Sequence, residues 1–75
     1  MIKLNREYLD NAMAKKLFNA ADLARTAQIS NATLSRMLKN NAVYSLKALG
    51  KIALALDIKE PKDLLQMKGE YKDEL

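Results

Sequence analysis

Cysteine, histidine and tryptophan are absent from these 75 residues, which hold only two glycines, one proline and four aromatics (Tyr8, Phe18, Tyr44 and Tyr71). Without cysteine there is no disulfide, and without cysteine or histidine there is no ordinary structural zinc site. So few glycines and prolines cannot supply the tight turns of an all-β fold. No apolar run approaches the 18 or so residues that span a membrane, and Met1 to Glu7 lack the apolar core of a secretory signal. What is present is 49% hydrophobic, so Leu, Ala, Ile and Met must build the core of a small helical domain. A chain of this length buries only about 60% of the surface its unfolded form exposes, and leaves no room for a second domain. Lys72-Asp73-Glu74-Leu75 spells a luminal retention address. Nothing here would carry the chain into that lumen, so the match is read as a coincidence of a charged tail. The expected location is the cytoplasm.

Acidic residues are the most informative shortage. Lys and Arg total 13 against nine Asp and Glu, a net charge of +4. Residues 1–56 carry nine basic and three acidic residues, for +6, whereas residues 57–75 carry four and six, for −2. Between Leu23 and Leu56 there is no acid, while Arg25, Arg36, Lys39, Lys47 and Lys51 all fall there. Such segregation predicts one positive face and an anionic partner. The plain alternative is a solvated helical surface that lysines keep soluble.

Caps and periodicity predict five helices. Asn5 is placed to cap the first, with Leu9, Met13 and Leu17 as its apolar stripe. Asn19 caps the second, and Asp22 three residues on completes a capping box. Ser30 opens a third through about Lys39, whose inner face is Leu34, Met37 and Leu38, and Asn40-Asn41 stop it. Ser45 caps a fourth, in which Leu46, Leu49, Ile52, Ala53 and Leu56 point inward. Gly50 costs that helix about 1 kcal/mol relative to Ala, which close packing against another helix would justify. Pro61 opens a fifth helix docked by Leu64, Leu65 and Met67 and stopped at Gly69. Residues 1–4 read as an extended lead-in, residues 1–67 as the domain, and residues 68–75 as a polar tail.

The stretch Asp22-Leu23-Ala24-Arg25-Thr26-Ala27-Gln28-Ile29-Ser30-Asn31-Ala32-Thr33-Leu34-Ser35-Arg36-Met37-Leu38 carries a known pattern. Leu46 to Leu56 and Asp63-Leu64-Leu65 follow it at matching distances. Residues 8–65, over three-quarters of the chain, resemble the lambda-repressor-like helix-turn-helix domain of bacterial and phage regulators, the Xre family (Cro-type). The resemblance implies an all-α, compact five-helix domain in which helices two and three form the helix-turn-helix. The residues suit that geometry. Ala24 is small where the two helices cross, Ile29 fills the space under the turn, and Leu34 and Met37 seat the third helix on the second. A helix about 10–12 Å across fits the major groove, and in this family the motif's second helix is the reader.

Carried over by position, the resemblance turns Asn31, Ala32, Ser35 and Arg36 toward base edges. Arg36 has the donors to grip guanine at two acceptors, and Asn31 can pair bidentately with adenine. Ala32 offers a methyl contact, and Ser35 is permissive. The same alignment faces Asn19, Ser30, Lys39, Asn41, Tyr44 and Ser45 toward phosphate, and Lys47 adds charge that would release counterions. Three departures from the family matter. Ala20 stands where Gln commonly touches the DNA backbone. Gln28 stands where the turn often has Gly, so a positive φ there would store about 1 kcal/mol. Met13 and Leu38 stand where relatives place a buried ion pair, an exchange that is often neutral or stabilising.

The resemblance therefore implies a sequence-specific regulator of double-stranded DNA, a repressor acting as a homodimer on a palindromic operator. No cofactor, metal, membrane or small-molecule ligand is expected. Ile58, Met67, Tyr71 and Leu75 are loose apolar candidates for a dimer surface. The alternative is a protein-interaction module, antitoxin-like, on the same fold. An enzyme is not expected, because no nucleophile–base set or glycine-rich phosphate loop is present.

Overall fold

Each helix begins at a side chain that accepts a backbone amide. The computed structural model of the chain describes residues 2–66. Asn5, Asn19, Ser30 and Ser45 cap α1 (Arg6–Lys16), α2 (Ala20–Ala27), α3 (Asn31–Asn40) and α4 (Leu46–Ala55). At α2 the capping box is complete: Asp22 N donates to Asn19 Oδ1 at 2.8 Å, and Asn19 N donates to Asp22 Oδ2 at 3.0 Å.

The helix ends show how a glycine-poor chain stops a helix. Leu17, Gln28, Asn41 and Asp57 all take positive φ, between 49° and 59°, and none is glycine. At three of these stops the next residue is apolar and folds back. The amides of Phe18, Ile29 and Ile58 donate to the carbonyls of Met13, Ala24 and Ala53 at 2.9–3.0 Å. Those three side chains are half-buried against the core. This is the six-to-one hydrogen bond of a helix terminus with its accompanying hydrophobic contact. Each left-handed position costs roughly 1–2 kcal/mol for an L-residue, which the docked apolar side chain and the bond offset.

These stops correct several expectations. Leu17 is 88% exposed and does not extend the stripe of Leu9 and Met13, because α1 has already ended and Phe18 docks instead. Ile58 packs against the core and is not a loose apolar residue. Asn40 remains helical, and Asn41 alone turns left-handed. Leu46, at the first position of α4, is 64% exposed; the buried face of that helix starts at Ala48 and Leu49.

Leu9, Leu23, Leu34, Met37, Ile52 and Leu64 are the large side chains fully withdrawn from water. α2 lies at the centre, packed on α3 and α4, and Ala24 is 2% exposed where small size allows close approach. Gly50 has a different explanation from the packing expected of it. A Cβ built there meets nothing within 4 Å, so the position is open. Gly50→Ala should therefore stabilise the fold by about 1 kcal/mol, through helix propensity alone. Urea denaturation of the two proteins measures the difference, and a loss of stability would refute the open site.

The fold is not purely helical, and the described residues form four α-helices. Pro61–Leu64 form a single 3₁₀ turn where a fifth helix was expected. The reason is long-range. Leu65 is extended and bridges Leu4, while Gln66 N donates to Lys3 O at 2.9 Å and Asn5 N donates to Leu64 O at 2.7 Å. On its other side the lead-in becomes β1 (Ile2–Lys3), antiparallel to β2 (Ala42–Val43), with Ile2 opposite Val43 and Lys3 opposite Ala42. The lead-in thus ties the end of α3 to the segment after α4. Met67 and Gly69, expected to finish the fifth helix, lie outside the described residues, as do Tyr71 and Leu75.

Two further contacts join distant elements. Arg6 Nη1 donates to the Leu38 carbonyl at 2.9 Å, placing a positive charge at the C-terminal end of α3, where the helix dipole favours it. Lys16 pairs with Asp57, holding the end of α1 to the turn after α4. No helix among the described residues is long and apolar enough to cross a membrane.

Candidate nucleic-acid interface

Amphipathic spacing fixes which side of α3 is free. Leu34 and Met37 are buried and Leu38 is half-buried, which turns the opposite face outward. Asn31, Ala32, Ser35, Arg36, Lys39 and Asn40 are all exposed on the remainder of the helix. The four residues expected to read bases therefore share one solvent-facing surface. α3 contains two basic residues, Arg36 and Lys39, and no acid.

Beside this surface lies a shallow hollow between the starts of α3 and α4. Its walls include Ser30, Thr33, Ser45, Lys47 and Lys51. It brings together three residues expected to face phosphate, Ser30, Ser45 and Lys47, that are far apart in sequence. The hydroxyls of both serines are already used as caps. Ser30 Oγ accepts from Thr33 N at 3.0 Å, and Ser45 Oγ accepts from Ala48 N at 3.2 Å. Ser30 Oγ also donates to Thr33 Oγ1, so the first-turn amides, the Ser45 hydroxyl proton and the two lysines are what this hollow offers an anion. Lys51 was not among the residues expected at the site. Its spacing from Lys47, one helical turn along α4, is the signal that would have found it.

Other expected phosphate contacts are more dispersed. Asn19 sits at the start of α2 with its side chain engaged in the capping box. Asn41 Oδ1 accepts from Arg6 Nη1 at 3.5 Å, which directs its carbonyl oxygen toward α1. Lys39 is exposed in the last turn of α3.

Tyr44 is tied to the outer face of α3. The Arg36 guanidinium carbon lies 4.2 Å from the centroid of the Tyr44 ring. Asn40 Nδ2 donates to the Tyr44 hydroxyl at 2.7 Å. Asn40 was expected only as part of the helix stop, so its contact with Tyr44 was missed; its position four residues after Arg36 puts both on one face.

The positive face is narrower than the acid-free stretch implied. Asp22, immediately before that stretch, accepts from Arg25 Nη2 at 2.7 Å, so Arg25 is spent within α2. The hydrogen bond from the Asn19 amide, and then the Arg25 guanidinium, hold the Asp22 carboxyl below the usual carboxylate range. A lowered folded-state pKa stabilises the fold above the unfolded value and loses that contribution as pH falls through the folded value. The advantage of wild type over Asp22→Asn in thermal melts should therefore be fully present at neutral pH. It should shrink as pH falls below about 4. An advantage equal at both ends would rule out an ionised cap.

A family model described as the Cro/C1-type helix-turn-helix DNA-binding domain matches residues 8–70. Searches of curated proteins and of solved structures found no match.

Proposed function

The chain belongs to the Cro/C1-type helix-turn-helix DNA-binding domain family, and from that membership we propose that it is a sequence-specific transcriptional repressor. α3 enters the major groove of double-stranded DNA, with Asn31, Ala32, Ser35 and Arg36 toward base edges. Asn19, Ser30, Lys39, Asn41, Tyr44, Ser45 and Lys47 hold the flanking phosphates and set the register of that helix. Repression follows from occupying a promoter. A single α3 spans only a few base pairs, so a homodimer on a palindromic site supplies the specificity a genome demands.

The observation that carries this reading is the outer face of α3. It is exposed, free of acid, and flanked by a lysine-lined hollow at the start of α4. A protein-docking surface has no need of such charge segregation.

The test begins with selection of a binding site from random duplexes, followed by titration at about 50 and 200 mM salt. The expected site is palindromic, and affinity should drop steeply between the two salt concentrations, because released counterions drive the association. Binding that neither weakens with salt nor distinguishes sequences would overturn the reading in favour of a protein partner.

A further inference from the structure

We propose that Tyr44 is a positioning residue, whose ring orients Arg36 for base reading while its hydroxyl grips phosphate. The inference rests on the DNA-reading function proposed above and adds a coupling between two kinds of contact.

Three observations converge on this side chain. Arg36 lies over the ring at 4.2 Å, within the range at which an aromatic face attracts a guanidinium. A long arginine on an exposed helix face otherwise samples many rotamers, and ordering it on binding weakens the complex. Arg36 forms no salt bridge among the described residues, so the ring is the partner that restricts it. Asn40 donates to the hydroxyl at 2.7 Å and so fills one acceptor site of that oxygen. The hydroxyl proton remains available, and a phosphate oxygen is an acceptor it can serve.

The backbone holds Tyr44 from both sides. Val43 before it is buried and paired with Ile2 across the two-stranded sheet. Ser45 after it caps α4. The ring is therefore attached to a fixed point outside α3, while Arg36 and Asn40 reach it from successive turns of α3. The ring, held by its backbone on both sides, then sets where Arg36 stands relative to the base edge, and the hydroxyl adds a phosphate contact from the same side chain. Phosphate grip and base reading act through one side chain.

The experiment measures binding of the 75-residue chain and its variants to the selected site and to all single-base replacements of it. Arg36→Ala identifies the base pair that Arg36 reads, as the position where discrimination collapses. Tyr44→Leu removes the ring and should lower discrimination at that same position by about two- to fivefold, the scale of an exposed cation–π contact. Discrimination at the other positions should hold. Adding Tyr44→Leu to Arg36→Ala should cause no further loss at that position. Tyr44→Phe keeps the ring and should preserve discrimination there, while lowering affinity by a similar factor for every sequence.

Retained wild-type discrimination in Tyr44→Leu, or an equal loss at all positions, would overturn the positioning role. Should Tyr44→Leu fail to fold, Tyr44→Met removes the ring in its place, and wild-type discrimination at the Arg36 position in that variant would overturn the positioning role. A wild-type protein that discriminates no bases would bring down the regulatory reading itself. One that discriminates normally while Tyr44 proves neutral would bring down only this inference.

Discussion

Arg36→Ala is expected to weaken binding to the selected site by about 1–3 kcal/mol and to relax preference at one base pair. Arg36 stands on the exposed face of α3, one helical turn before Asn40, and no acid in that helix neutralises it. A guanidinium can meet both major-groove acceptors of guanine, and no other single side chain replaces that fork. Lys39→Ala serves as the contrast. It should weaken binding to all sequences alike and reduce the salt slope by about one. Titrations of both variants over matched and single-mismatch duplexes measure the difference. If Arg36→Ala lost affinity uniformly and kept its base preference, Arg36 would be a phosphate contact.

Leu34→Ala should cost about 2–5 kcal/mol of folding stability. Leu34 is 1% exposed on the inner face of α3, among the core that α2 and α4 build. Truncation leaves a cavity that neighbours can only partly fill, and a domain this size holds roughly 4–11 kcal/mol in all. The variant should therefore lose a large part of that stability, and unfold where the total lies at the low end of this range. Leu54→Ala is the control: Leu54 is 80% exposed, and its loss should stay within about 0.5 kcal/mol. Urea denaturation of the three proteins compares them. A Leu34→Ala protein as stable as Leu54→Ala would mean that α3 is not seated by this residue.

How much of the molecule was legible in the sequence depended on distance along the chain. Asn5, Asn19, Ser30 and Ser45 announce their helices because each caps an amide three residues away. The outer face of α3 was equally readable, since Leu34 and Met37 fix the inner face and helical geometry does the rest. At Gln28, standing where the family often has Gly, a positive φ was considered as a condition, and the residue has one. The same device at Leu17 and Asp57 was not anticipated. A leucine four residues after Met13 looks like core until Phe18 is seen to take the place. Gly50 misled in the other direction, because a glycine inside a helix reads as a close approach and here meets open space.

By itself the sequence determined the four α-helices of the described residues, the helix-turn-helix within them and the poverty of acid around the outer face of α3. All of these arise from residues within a turn or two of each other, where caps, periodicity and charge act locally. Tertiary structure decided the rest. It drew Ile2 and Lys3 to Ala42 and Val43 and set Leu65 against Leu4, so the expected fifth helix became one 3₁₀ turn. It spent Arg25 on Asp22 and Arg6 on the end of α3, leaving Arg36, Lys39, Lys47 and Lys51 as the positive surface. It also laid Arg36 over Tyr44 and joined Tyr44 to Asn40. Backbone pairing between segments about 40 to 60 residues apart leaves no periodic trace in either segment, because every extended stretch offers the same amides and carbonyls. Only the packed core, by setting which segments lie side by side, selects among those equivalent partners.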